Sequence, residues 1–330
     1  MATYKEIKGT QIEVVSSDPS NPVEGQVWYN STDQAVKGFA LTGAAAWASG
    51  GATNQSRSQA AGSGANKDAA LTYGGYSGTA ALDLTENYNG SSWTEVNDLN
   101  TEKRYIAGCG TSTAALCTGG YSQAGSAVAE NENWNGTNWT EVNNLTRPSN
   151  RYDSSEFGTT TAALYFGGEP TSALTEQWNG TNWTEVNDLN TARYAPTGFG
   201  TTSAGIAAGG RTSPVTAATE IWNGTNWSNG NDMNTAKGDP SASQAASSTT
   251  GIVFGGSPGP GSSTLAITEQ YNGTNWTEIA DMSTARYRAV GAGEGTDAIC
   301  STGYTGTART GATEEFTGAG APQTRTFTDS

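Results

Sequence analysis

Asn179-Gly180-Thr181-Asn182-Trp183 is the stretch on which the fold turns, because the chain repeats it. The same block ends at Trp139, Trp227 and Trp276, and Asn89-Gly90-Ser91-Ser92-Trp93 is a close copy. Counting from Trp47 through these tryptophans, the spacings are 46, 46, 44, 44 and 49 residues, the length of one four-stranded propeller blade. A Gly-Gly pair closes a short apolar run in each copy: Gly74-Gly75, Gly119-Gly120, Gly167-Gly168, Gly209-Gly210 and Gly255-Gly256, with Thr302-Gly303 as a degenerate sixth. The repeat therefore has structural marks at Gly75, Gly120, Gly168, Gly210 and Gly256 and at Trp93, Trp139, Trp183, Trp227 and Trp276.

The copy beginning at Arg193 serves as a template. Strand a spans Ala195 to Gly200, small residues suited to a crowded propeller axis. Strand b spans Ala204 to Gly210, strand c Ala218 to Trp222 and strand d Asn226 to Gly230. Asn223-Gly224 lies at the c-to-d hairpin, where a tight turn with two positive-φ positions suits Asn and Gly. The aromatic of strand c (Tyr88, Trp134, Trp178, Trp222, Tyr271, Phe316) and the tryptophan of strand d then pack between blades.

Two charged positions recur in register. A basic residue opens strand a (Arg57, Arg104, Arg151, Arg193, Lys237, Arg286), and a glutamate precedes the strand c aromatic (Glu86, Glu132, Glu176, Glu220, Glu269, Glu314). One reading is a structural ion pair within or between blades. The other makes the six basic residues a candidate ligand-binding ring at the channel mouth, open to an anion.

Composition narrows the function. With 44 glycines, 14% charged residues and a net charge of −15, the chain reads as all-β and turn-rich. It has no basic cluster for nucleic acid and no apolar run for membrane insertion. Three scattered cysteines and no histidine argue against a disulfide framework, a metal site or a cofactor. The recurring Asn-X-Thr triplets, such as those at Asn135, Asn179 and Asn182, follow from the turn and read as unmodified.

The apolar run ending in Gly-Gly, the strand c aromatic, the tryptophan five residues on, and Thr-Ala-Arg-Tyr at Thr191 to Tyr194 and Thr284 to Tyr287 together resemble the kelch repeat. The resemblance covers Arg57 to Phe316 and implies a β-propeller of four-stranded blades, usually six or seven. The short c-to-d turn departs from the common kelch pattern.

The amino-terminal segment differs. Asp18-Pro19-Ser20-Asn21-Pro22-Val23-Glu24-Gly25-Gln26-Val27-Trp28-Tyr29-Asn30, with Lys37-Gly38-Phe39 and Trp47, resembles a β-meander of bacteriophage tail-fibre and appendage proteins, notably marine ones. It also reads as strands b, c and d of a blade (Gln26 to Asn30, Val36 to Leu41, Ala45 to Ser49), completed by a carboxy-terminal strand at Thr324 to Asp329. The organisation expected is residues 1–50 as terminal segment, 51–317 as six repeats and 318–330 as closing strand, giving seven blades. The alternative is six blades, with the carboxy-terminal strand finishing blade six and the first 40 residues as a separate attachment hairpin.

Catalysis finds little support in the sequence. There is no histidine, no nucleophile elbow and no metal-ligand cluster, and nearly every acid recurs with the repeat. Asp153, Glu156, Asp239 and Glu294 break it, and they are the enzyme candidates. The expectation is a non-enzymatic virion protein of a bacteriophage, whose partners are other virion proteins and a host-surface glycan or protein. A carbohydrate-binding or carbohydrate-active propeller is the alternative, and a kelch-type protein-interaction module is the third.

Overall fold

The computed structural model describes residues 12–19, 26–41, 43–146, 152–259, 263–320 and 322–327. The chain separates into two compact units, Ala46–Phe316 and a smaller one made of Met1–Ala45 with Thr317–Ser330. All of the described regular structure is β, arranged in four-stranded sheets in a propeller-like manner.

The larger unit contains six four-stranded sheets. In sheet 1 the strands run Ala61–Asn66, Ala69–Tyr73, Thr85–Tyr88 and Trp93–Val96. Sheet 2 has Ala107–Gly110, Ala115–Thr118, Asn131–Trp134 and Trp139–Val142; sheet 3 has Ser155–Thr159, Ala162–Phe166, Thr175–Trp178 and Trp183–Val186. Sheet 4 has Thr197–Thr201, Ala204–Ala208, Thr219–Trp222 and Trp227–Asn229; sheet 5 has Ser241–Ala242, Gly251–Phe254, Thr268–Tyr271 and Trp276–Glu278. Sheet 6 takes Val290–Glu294, Asp297–Ser301 and Thr313–Thr317 from the last repeat, and its outer strand, Ala46–Gly50, comes from before the first. The first strands of successive sheets are neighbours, and that of sheet 6 lies against that of sheet 1.

Small residues on these first strands let large ones from the preceding sheet reach in. Tyr73, Phe166 and Phe254 end second strands, and each points at a glycine of the next sheet: Gly108, Gly198 and Gly291. A Cβ on Gly108 would stand 2.1 Å from the Tyr73 hydroxyl, and one on Gly198 would stand 2.7 Å from Phe166. Any side chain there would separate the sheets.

The outer tryptophans tie each sheet to the one before it. Their indole N–H groups donate across the interface to the threonine that opens the third strand: Trp93 to Thr313, Trp139 to Thr85, Trp227 to Thr175, Trp276 to Thr219 and Trp47 to Thr268, at 2.9 to 3.1 Å. Trp183 is the exception, its buried Nε1 having no partner. The residue facing it in the repeat is Asn131 instead of threonine, whose Oδ1 already accepts from Thr118 and whose Nδ2 is also unpartnered.

The hairpin between third and fourth strands differs from the expected two-residue turn. It is a four-residue connection in which the first Asn keeps negative φ and only the glycine is left-handed, at φ 91° for Gly180 and Gly224. The Asn179 side-chain oxygen accepts from the backbone N–H groups of Thr181 and Asn182, and Asn223 does the same for Thr225 and Asn226. The Asn is retained for its local capping bonds, not for its tolerance of positive φ.

The smaller unit is a separate four-stranded sheet: Glu13–Val15 parallel to Val27–Asn30, then Ala35–Leu41 antiparallel to it, then Pro322–Phe327. This strand arrangement differs from the one expected for a seventh blade, and from a sixth sheet finished by the carboxy-terminal strand. The carboxy-terminal strand pairs with Ala35–Leu41, not with Val27–Asn30, and the strand carrying Trp47 belongs to sheet 6. Trp47 goes where its indole finds Thr268 and its ring meets Phe254 and Phe316, with centroids at 5.0 and 5.1 Å. In the smaller sheet Asp18 accepts from the Trp28 indole and the Asn30 amide and pairs with Lys37, and these hydrogen bonds hold its carboxyl down to about 2.

Two outcomes are expected in denaturant titrations. Asn131→Thr supplies the missing acceptor for Trp183 and raises stability by about 1 kcal/mol. Trp47→Ala removes the sheet 6 anchor and lowers it by roughly 3 kcal/mol or more.

Candidate binding face at the channel mouth

The predicted basic residues are mostly not at a mouth. Arg57, Arg193, Lys237 and Arg286 are fully buried and paired with Glu86, Glu220, Glu269 and Glu314. Repeat two is shifted by one residue relative to the sequence alignment. Lys103, not Arg104, is buried there, 2.8 Å from Glu132. Arg151 lies outside the described residues. Arg57, Lys103, Arg193, Lys237 and Arg286 form no anion-receiving ring, because each of these charges is neutralised in the interior, where an unpaired ion is costly.

What they do is structural. Arg193 Nη1 donates to the carbonyls of Gly209 and Ala218 while Nη2 holds Glu220 at 2.6 Å, and Arg57 and Arg286 repeat the pattern. Each glutamate also accepts from the link leaving the preceding repeat, as Glu220 does from the N–H groups of Asn190 and Thr191. One buried pair thereby joins a Gly-Gly turn, a third strand and an inter-sheet link.

Two residues after each basic position the chain enters the left-handed region: Gln59, Tyr105, Asp153, Ala195, Asp239 and Arg288, with φ between 50° and 62°. Non-glycine residues adopt this at a cost of about 1 kcal/mol each. The compensation is a closed cycle of six backbone hydrogen bonds: Tyr105 N–H to Gln59 C=O, Asp153 to Tyr105, Ala195 to Asp153, Asp239 to Ala195, Arg288 to Asp239, and Gln59 to Arg288, at 2.7 to 3.2 Å. These six residues rim a cavity of about 90 Å³ on the axis, room for a few waters. At the opposite end a larger cavity of about 420 Å³ is lined by turn residues such as Gly110, Thr159 and Thr201, with Glu294.

Around the rim a second tier of short bridges pairs the residue after the basic position with the residue after the Gly-Gly pair: Tyr76 with Ser58, Tyr121 with Arg104, Tyr194 with Arg211 and Tyr287 with Tyr304. Seven of the 13 tyrosines, namely Tyr76, Tyr105, Tyr121, Tyr152, Tyr194, Tyr287 and Tyr304, lie in these two tiers, all half-buried. Tyr105 and Tyr121 both pack against Tyr152, one tilted and one edge-on, with ring centres at 5.4 and 4.8 Å. Arg104 stands 4.4 Å from the Tyr76 ring centre, Arg288 4.7 Å from Tyr105, and Arg309 4.6 Å from Tyr76. Arg104 is thus the one predicted basic residue, of those described, that belongs to the face.

The enzyme candidates do not form a free carboxylate pair. Asp153 and Asp239 share Arg288, whose Nε is 2.6 Å from Asp239 and whose Nη2 is 3.4 Å from Asp153, and Asp239 also holds Arg211 at 2.7 Å. Burial pushes the Asp153 carboxyl up to about 7, against the pull of Arg288. Glu156 lies between sheets 2 and 3, 1% exposed, at a position where the other repeats have glycine or alanine. Its Oε1 is 3.6 Å from the Cys109 sulfur, its Oε2 has no partner, and burial raises its carboxyl to about 8. All three cysteines are free and buried. Among the described residues no cluster of three or more acids, cysteines or histidines could hold a metal.

Sequence reading misses Tyr76 and Tyr304, whereas Tyr121 opens the connection Tyr121 to Ser126, whose repeat-breaking length marks it as a candidate contact loop. A signal is present in Gly-Gly-Tyr at residues 74–76 and Thr-Gly-Tyr at 302–304, where a tyrosine follows directly on the end of strand b. No protein-family model matches the chain, and no curated protein matches it.

Glu156 sets a pH dependence. Its folded carboxyl keeps the proton to about pH 8, whereas an unfolded one releases it near 4.5. Its stabilising contribution is therefore complete below pH 4.5 and is lost as pH rises through 8. Glu156→Gln should match the wild type at pH 4 and exceed its stability at pH 9 by more than about 1 kcal/mol, read from urea midpoints at the two pH values. Breaking a buried pair should act at all pH values: Glu220→Ala leaves Arg193 unpaired and costs roughly 3–5 kcal/mol in the same titration.

Proposed function

We propose that this chain is a non-enzymatic structural and recognition protein of a bacteriophage particle. In this reading the larger unit is a six-bladed, kelch-like propeller whose tyrosine and arginine face meets a host-surface glycan or protein. The smaller unit attaches it to other virion proteins. The observation that carries the recognition role is the gathering of repeat-breaking residues on one face. Ion pairs, glycines and tryptophans recur around the ring, but Tyr105, Asp153, Asp239, Arg288, Arg104 and Arg309 do not. Tyrosines with polar tips and flat apolar bodies are common at recognition surfaces, where they supply area at little entropic cost.

The particle assignment draws on the terminal segment. Asp18, Trp28, Asn30 and Lys37, residues of the stretch that resembles phage appendage proteins, form one hydrogen-bonded cluster in a sheet of their own. Cluster and separate unit suit a part built for attachment. A carbohydrate-binding role is compatible with this reading, since half-buried tyrosines stack on sugar faces.

Mass spectrometry of purified particles, released from cells expressing the gene, should find the chain at stoichiometric levels. Antibody raised against residues 46–316 should decorate those particles in electron micrographs. Particles devoid of the chain would overturn the assignment.

A further inference from the structure

Among the cations whose side chains are described, Arg104 and Arg309 alone have no carboxylate partner. Arg57, Lys103, Arg193, Lys237 and Arg286 are buried in pairs, Arg211 and Arg288 bind Asp239, and Lys37 and Lys67 bind surface aspartates. Neither Arg104 nor Arg309 donates a side-chain hydrogen bond, and the Nε of each is buried without an acceptor. Two such guanidiniums on a chain of net charge −15 are conspicuous, since acids are abundant enough to pair them.

Their placement is shared. Arg104 comes from the link into sheet 2 and Arg309 from the loop before the third strand of sheet 6, yet both stand over the ring of Tyr76 from sheet 1. At 4.4 and 4.6 Å from one ring centre, the two guanidinium carbons are no more than about 9 Å apart. Tyr121 and Tyr304 flank them, at 5.5 Å from Arg104 and 5.6 Å from Arg309. The rings hold the guanidiniums close and partly dry, while their terminal N–H groups remain unused. A planar fork of donors held on an aromatic surface suits bidentate binding of an oxyanion.

We propose that Arg104, Tyr76 and Arg309 form a binding site for the oxyanion group, carboxylate or sulfate ester, of an acidic surface polysaccharide. The inference rests on the reading of this face as a glycan-recognition surface and adds the class of sugar it selects. The arginines bind the anionic group, and the tyrosines beside them stack on the sugar ring. Arg288 and Arg211 do not contribute, because Asp239 and Asp153 already occupy them.

The test is calorimetric titration of the full chain with three probes: a galacturonate tetramer, a sulfated carrageenan tetrasaccharide, and neutral maltotetraose. One acidic probe or both should bind at least tenfold more tightly than maltotetraose, and added sodium chloride should weaken that binding. The acidic probe that binds identifies the oxyanion. R104Q and R309Q should each weaken it at least fivefold with an unchanged melting temperature, and R104K should recover part of the loss. Equal binding by wild type and both glutamine variants, or no binding of either acidic probe, would overturn the proposal. Binding of maltotetraose alone would remove the acidic-sugar site and leave glycan recognition standing, whereas silence with all three sugars would remove both; neither bears on the particle assignment.

Discussion

A cation buried against a glutamate at the head of five repeats is the interaction on which this protein's geometry depends. Taken alone, such a pair is poor value for stability, since stripping two ions of water costs about as much as their attraction returns. Here each arginine also satisfies two backbone carbonyls, and each glutamate binds the link from the preceding repeat. The pair is thus a junction between the end of one sheet, the turn of the next and the strand beside it. It also brings the chain into the left-handed residue two positions on, whose backbone joins the hydrogen-bonded cycle at the mouth.

Much of the architecture was legible because it is written six times. Tryptophan spacing, Gly-Gly pairs and the strand with a glutamate before its aromatic located the sheets to within a residue or two, as the template shows: Ala204 to Gly210 was expected and Ala204–Ala208 is found. The pairing of basic residue with glutamate was legible for the same reason, though the register in repeat two was not. Lys103 and Arg104 are adjacent cations, and only burial distinguishes them. The arrangement at the termini escaped because a meander followed by a tryptophan strand is locally the same whether or not all three strands share a sheet. The partner that decides is Thr268, over 200 residues away.

The face at the mouth was hidden for a different reason. Its components are spread around the repeats, each contributing a few residues that look like ordinary departures from a consensus. Tyr76, Arg104, Tyr121 and Arg309 are far apart in sequence, and only the packing of sheet 6 against sheet 1 makes Arg309 a neighbour of Tyr76. The hydrogen-bonded cycle likewise brings Asp153 and Asp239, which read as separate acids, onto one arginine.

The cycle of six hydrogen bonds at the mouth is made by peptide groups alone. Gln, Tyr, Asp, Ala, Asp and Arg occupy its six places without breaking it, so the cycle itself does not depend on which side chains stand there. Such a surface can drift: rim side chains can change while the scaffold beneath them stays under separate constraint. On the recognition role proposed above, a lineage carrying this ring could follow a changing target by altering a few rim positions, one at a time, without first having to acquire a stabilising change elsewhere.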